Sequence, residues 1–334
     1  MSASCHARAR IVKGRGRGVD ARRGWQAGCP GQRHRLTHER NTMTDADWIA
    51  AESGPRTLRA WAMRGDDPVE TRSLDRREGF EATLAQLLSG WPQVPVIACG
   101  MRDPPRDGID AATRRVPCPA LPLPLVTVPE GADGRSLRMV AGITQADPPD
   151  LICGDETRLA GLLLAAPDFD GVVCLPGHHT RWVRVSAGEI CHVQTVMTSD
   201  ILQALSQETA LRFSLLGQDN AFDETAFDEA LDLSLSRPHA AWGRLFRLRV
   251  EAMTENANPG HVAGWLAGLV IGLDLGASRA MWLGQKVLIL GADALAPHYH
   301  RALDRQGVGP LKGDATAATL AGLSEAWRKV RQMN

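Results

Sequence analysis

Residues 174–183 read CLPGHHTRWV. They follow the apolar run FDGVV and hold a Pro-Gly turn, two histidines, a hydroxyl and an arginine. Three chemistries compete for this stretch. A zinc site would draw on Cys174, His178 and His179. Adjacent histidines on a strand point to opposite faces, however, and the C-x3-H spacing has no partner downstream. A nucleophile's turn would need G-x-S-x-G after the strand, and nothing of that form follows Gly177. A phosphate loop suits the residues better. Glycine in a tight turn lets backbone N–H groups approach an anion, while Thr180 adds a hydroxyl and Arg181 a cation. An ordinary hairpin turn would use the same letters, so the surroundings must decide.

On the C-terminal side, WVRVSAGEICHVQTV (182–196) continues as a hairpin. A comparable signal stands over a hundred residues earlier. DWIAAESGPRTLRAWAM (47–63) reads as strand, tight turn at Ser53-Gly54-Pro55, and strand. Between the two hairpins, 78–91 has helical spacing (Phe80, Leu84, Leu87, Leu88) and VPVIAC (94–99) reads as a buried strand. A proline-rich loop region covers 103–124, and DPPD (147–150) reads as a linker. GDETRLAGLLLAA (154–166) is a helix with an acidic first turn; 198–256 is helical, and VLILG (287–291) is a strand followed by a helix over 292–306. Two hairpins with glycine turns, each among mixed strands and helices, predict two similar lobes of an α/β, kinase-like architecture. The lobes are placed at 43–146 and 147–334.

The 334 residues suffice for two domains, and 44% are hydrophobic. Charge is unevenly spread. Residues 1–42 carry ten Arg and Lys against two acids, so the remainder is net negative, which argues against nucleic acid as partner. The 1–42 stretch lacks apolar periodicity and reads as a disordered basic extension. Seven cysteines form no C-x-x-C pair and suit reduced thiols in a cytoplasmic protein. Gly264, Gly268 and Gly272 line one face of the helix over 261–274. His261 and Asp274 leave only twelve residues between them, too few to span a bilayer, so that face is expected to cross another element closely at a domain interface.

Asp155 and Glu156 in a helix's first turn are explained by the helix dipole, or by a general base near a sugar hydroxyl. Gly291, between a strand and a helix, is a weak sign of nucleotide contact. Taken in order, these parts resemble the actin-like sugar kinase superfamily, in which two lobes close over ATP. The chain is most similar there to the 2-dehydro-3-deoxygalactonokinase family. The stretches that carry the resemblance are IACGM (97–101), VPCPA (116–120), GDETRLAG (154–161), LPGHHTRWV (175–183), TVMTSDI (195–201), AGWLAGLVIG (263–272), VLILGADAL (287–295) and HYHRAL (298–303). It covers 47–334. Three places depart from the family pattern, one of them GMRDPPRDG (100–108), where the family usually has G-M-I-G-S-R-Q-G-W. The first hairpin reads Glu52-Ser53-Gly54-Pro55-Arg56-Thr57 where the family usually has D-W-G-T-[TS]-N, and in the second His178 stands for Thr.

The resemblance implies a two-lobed actin-like (ribonuclease H-like) sugar kinase that phosphorylates the terminal hydroxyl of 2-dehydro-3-deoxy-D-galactonate. Glu156 is the favoured base, with Asp155 next. Gly54, Thr57, Gly177, His178, Thr180 and Arg181 would cradle the ATP phosphates, with Mg²⁺ near Glu52. Gly291 and Ala292 would meet the adenosine side, and Arg102 or Arg106 the substrate carboxylate. A small sugar acid is the partner, with neither nucleic acid nor membrane and with a homo-oligomer left open. The alternative is a catalytically silent relative that binds a sugar acid or nucleotide as a regulator.

Overall fold

The computed structural model describes residues 45–77, 79–100, 113–128, 133–216, 221–254, 258–291 and 294–333. The basic extension, Arg102, Arg106 and Ala292 lie outside the described residues.

Strand β1 (Trp48–Ser53) turns at Gly54 into β2 (Thr57–Arg64), and the chain returns again as β3 (Asp67–Asp75). Helix α1 (Phe80–Leu87) leads to β4 (Val96–Gly100), which lies parallel to β1. Short strands follow: β5 (Thr113–Arg115), β6 (Cys118–Pro119), β7 (Val126–Val128), β8 (Leu137–Met139), β9 (Gly142–Ala146) and β10 (Pro149–Ile152). Asp147 and Pro148 make the turn of the β9–β10 hairpin, so DPPD is not a linker. Helix α2 (Asp155–Ala165) precedes the second meander, β11 (Gly171–Leu175), β12 (Thr180–Ser186) and β13 (Glu189–Val196). Then come α3 (Thr198–Glu208), a 3-10 turn at Ala210–Ser214, α4 (Glu224–Ser236), α5 (Pro238–Thr254), α6 (Pro259–Ala277) and α7 (Arg279–Trp282). The chain closes with β14 (Val287–Ile289), α8 (Ala296–Arg305), β15 (Leu311–Lys312) and α9 (Ala315–Met333).

Two sheets repeat one plan. The first runs β3-β2-β1-β4-β8-β7 and the second β15-β14-β11-β12-β13-β6. In each, an antiparallel three-strand meander is extended by two parallel strands beside its first member. Parallel strands need covered faces, and the leading strand of each meander is apolar on both. Along β1, Ile49 and Ala51 enter one core with α1, while Trp48 and Ala50 enter another with α9, where Trp48 stacks on Trp327 at 5.6 Å. Along β11, Val172 and Cys174 face the α4–α6 core, and Val173 and Leu175 the core shared with α2. The period of two thus divides each strand between two cores.

Glycine sets how closely the helices approach. A Cβ at Gly264 would overlap the Asp223 carbonyl oxygen, and one at Gly268 that of Phe227. The stripe therefore packs on α4 inside the second lobe, which corrects the expected domain-interface role. By length and composition alone α6 could cross a membrane; here it is a buried core helix.

Helices α2 and α9 cross the same way. A Cβ on Gly322 would overlap the carbonyl oxygen of Thr157 and come within 2.9 Å of its Cγ2. Gly322→Ala is expected to lower stability by about 3 kcal/mol, the upper end for overpacking, because the obstacle is backbone. Denaturant unfolding checks it, and a loss below about 0.5 kcal/mol would show that the two helices can move apart.

Candidate active site

Three backbone ends meet where the lobes join. Gly100, at the end of β4, has φ +96, and a Cβ there would lie 2.9 Å from the Ser53 carbonyl carbon. Gly154, the N-cap of α2, has φ +107 and would set a Cβ 3.1 Å from the Gly100 Cα. Both conformations and both approaches favour glycine. They bring the acidic start of α2 against the ends of β1 and β4.

A chain of charges crosses this point. Arg158 donates to Glu52 at 2.8 Å and to Asp155 at 2.9 Å, and Arg181 donates to the other Asp155 oxygen at 2.6 Å. Glu52 comes from β1, Asp155 and Arg158 from α2, and Arg181 from β12. Two carboxylates thus alternate with two guanidinium groups across the lobe junction, each side chain mostly sheltered. Such pairs persist in a partly dry site only when each charge is answered. Arg181 keeps one donor in reserve, since its buried Nε has no partner among the described residues.

Glu156 sits differently from Asp155. It is fully buried, and both of its oxygens accept from the Gly154 N–H, at 2.7 and 2.6 Å. Burial pushes its pKa up to about 8, against the backbone hydrogen bonds that oppose the rise. Behind it lies Cys99, whose thiol is raised by burial and by the nearby Glu52 and Glu156. Glu156 therefore lies beneath the start of α2, whereas Asp155 reaches out to Arg181 of the second hairpin.

The two hairpin turns flank these carboxylates. In the first, the Gly54 N–H is spent on the Thr57 carbonyl at 2.9 Å, and Thr57 is exposed. Arg56 at its tip donates to Gln203 of α3, a contact from one lobe to the other. In the second, Gly177 and His178 form the turn, and the Gly177 carbonyl accepts from Ser199 Oγ at 2.6 Å. Thr180 is fully buried, and its hydroxyl pairs with Tyr299 at 2.8 Å. Tyr299 also donates to Asp274, which accepts from Trp182 at 2.9 Å and Thr198 at 2.6 Å. The Thr180 side chain thus anchors the loop to the core and is not the expected phosphate donor. Gly291 packs behind the same loop, where a Cβ would come within 3.0 Å of Pro176.

Cys174 faces the core opposite Trp182, away from any ligand role. The two histidines precede β12, in a turn, so they need not diverge as strand residues would. Both approach Asp200 of α3: His178 Nε2 lies 3.3 Å from one carboxylate oxygen and His179 Nε2 3.0 Å from the other. Arg158, Asp200 and Gln203 were not among the residues singled out from sequence. Arg158 was within reach, three positions after Asp155 on one helix face. The partners contributed by α3 carry no local signal.

The arrangement can bind an anion beside Arg181 and present the Asp155 carboxylate to a hydroxyl. A hollow of 330 Å³ lined by Leu74, Asp75, Arg77, Thr83 and Gln86 holds none of these groups. The site is therefore located by its charges.

Comparison with known proteins agrees. The family model for 2-keto-3-deoxy-galactonokinase matches residues 52–326, so the chain belongs to that family. It is 28% identical over 305 residues to a probable 2-dehydro-3-deoxygalactonokinase of Rhizobium meliloti (strain 1021), covering 86% of this chain and 99% of that one. To the 2-dehydro-3-deoxygalactonokinase of Escherichia coli (strain K12) it is 27% identical over 275 residues, 78% of this chain and 91% of the other. A crystal structure from Sinorhizobium meliloti described under the same enzyme name superposes with a TM-score of 0.75 at 26% identity. The match covers 85% of this chain and 96% of that one. The fold is the two-lobed actin-like one.

Proposed function

We propose that this member of the 2-keto-3-deoxy-galactonokinase family phosphorylates 2-dehydro-3-deoxygalactonate from ATP, with Asp155 as the base. The observation that supports the assignment is the Asp155–Arg181 contact, which sets a carboxylate beside the cation proposed for phosphate, one ion pair away from Glu52 of the first lobe. Glu156, favoured on sequence, lies buried and shielded beneath it.

In the reaction the terminal hydroxyl oxygen of the sugar acid attacks the γ-phosphorus. The bond to the β-phosphate breaks, ADP leaves, and the hydroxyl proton passes to Asp155. Little covalent work falls to the protein; orientation and charge neutralisation dominate. Arg181 suits the nucleotide because its buried Nε lacks a partner among the described residues and can turn to a phosphate oxygen. Arg56 adds a cation from the first hairpin. Gly54, Thr57, Gly177 and His178 line the two turns, and Gly291 supports the second. Arg102 and Arg106 are proposed for the substrate carboxylate and Ala292 for the adenosine side.

The donor set is tested less kindly by magnesium. Glu52 offers the oxygen ligands that ion prefers, but its carboxylate is held by Arg158 at 2.8 Å. The Arg158 guanidinium answers the charge that magnesium would answer, so Glu52 as held here does not fit the ion.

The test is ADP release by the full chain with Mg-ATP and 2-dehydro-3-deoxygalactonate. Turnover is expected in the parent, and Arg181→Met is expected to raise KM for ATP about ten- to hundredfold through loss of a charge-assisted hydrogen bond. Saturable sugar-acid binding without turnover would instead make the chain a silent relative.

A further inference from the structure

The second turn holds a group of side chains whose combination phosphoryl transfer does not require. His178, His179 and Asp200 each bring one ligand atom within 4.8 Å of the others. We propose that these three residues bind one divalent transition metal ion of the zinc type, through His178 Nε2, His179 Nε2 and an Asp200 carboxylate oxygen.

Geometry carries this first. In a tetrahedral site with bonds of about 2.0–2.1 Å, neighbouring ligand atoms stand roughly 3.3 Å apart. The imidazole-to-carboxylate separations are 3.3 and 3.0 Å, each to a different Asp200 oxygen, so each is close to one edge of such a tetrahedron and a turn of the carboxylate brings one oxygen to both rings. The rings lie 4.6 Å apart at 47°, side by side and not splayed, so a small rotation of each completes the third edge. The scaffold is fixed as well. Ser199, next to Asp200, donates to the Gly177 carbonyl at 2.6 Å, fastening the turn to the first turn of α3.

Chemistry agrees. Two imidazoles and one carboxylate form a three-ligand set that leaves a fourth position open, and imidazole selects zinc, cobalt, nickel or copper over magnesium. Metal ligation takes neutral imidazole, with the ring proton moved to Nδ1. Arg56 and Arg181 are the cations that bear on His178. Of those two cations, Arg181 is neutralised by Asp155, and Arg56 is turned to the amide of Gln203. Both histidines sit in the turn proposed to hold phosphate. On the kinase reading, a bound ion would therefore compete with productive Mg-ATP binding, making zinc an inhibitor.

Cobalt(II) alone is the probe, since tetrahedral cobalt absorbs visible light far more strongly than octahedral cobalt. It is titrated into the full chain, into His178→Thr and into Asp200→Asn, each shown folded by thermal unfolding. Cys5, His6, Cys29, His34 and His38 are present in all three, so the difference between parent and variants is the readout. The parent should gain a tetrahedral band that zinc abolishes and magnesium leaves, with affinity at least tenfold weaker in both variants. Equal spectra in the parent and either folded variant, or no tetrahedral band in the parent, would overturn the site. The titration needs neither ATP nor sugar, so its failure leaves the kinase reading intact, and absence of turnover leaves the metal site intact.

Discussion

Asp155→Asn is expected to lower kcat by ~10²–10⁴-fold, the range for removing a general base, while Glu156→Gln stays within about threefold of the parent. The contrast follows from where two adjacent carboxyl groups point. Asp155 faces the second hairpin and shares Arg181 with the nucleotide's expected position; Glu156 turns back on Gly154 and is fully buried. Asparagine keeps the size and one acceptor for Arg158 or Arg181, so positioning is largely spared while proton acceptance is lost. The pH profile gives a second readout. With its pKa raised to about 8, Glu156 would be a working base only on the alkaline side, and kcat would climb through that region. A slow Glu156→Gln beside a fast Asp155→Asn, or an alkaline rise in the parent that Glu156→Gln abolishes, would return the role to Glu156.

The two hairpins, α2, α6 and β14 were legible because each is local. Alternation, a glycine turn or an acidic first turn is written within a dozen residues. The matched topology of the two sheets was legible only as two hairpins in similar company; the β3 strand that completes the first meander has polar, half-exposed residues and gave no apolar run. The site divides in the same way. Asp155 and Arg181 stand in motifs, yet their contact spans 26 positions and depends on how α2 abuts β12. Thr180 shows the reverse. Its hydroxyl, in a glycine turn beside an arginine, looks made for phosphate, but the Asp274–Tyr299 cluster claims it from 94 and 119 positions away, the nearer through Tyr299. Against a metal, sequence reasoning assumed two histidines on a strand and no third ligand. The turn and Asp200 remove both premises.

Glu156 also makes folding stability depend on pH in an unusual direction. Its folded pKa, about 8, lies above the ordinary 4.5 because burial disfavours the charged form. Between those values the folded chain holds a proton that the unfolded chain has released. Stability is therefore full below about pH 4.5 with respect to this group, falls as pH rises, and levels off above about pH 8. At 1.36 kcal/mol per pH unit the loss is on the order of 5 kcal/mol, a large share of a domain's usual stability. Glutamine mimics the protonated side chain and removes the dependence. Denaturant unfolding of parent and Glu156→Gln at pH 5.5 and 8.5 should show similar stability at the lower pH and a more stable variant at the higher, by several kcal/mol. A gap that does not widen with pH would mean that Glu156 stays ionised in the fold, held by the Gly154 N–H and the nearby Arg181. It would then be charged at neutral pH beside Asp155, and both carboxylates would have to be weighed as the base. The same pair of variants thus measures the protonation state on which the catalytic assignment depends, by a route that needs no substrate.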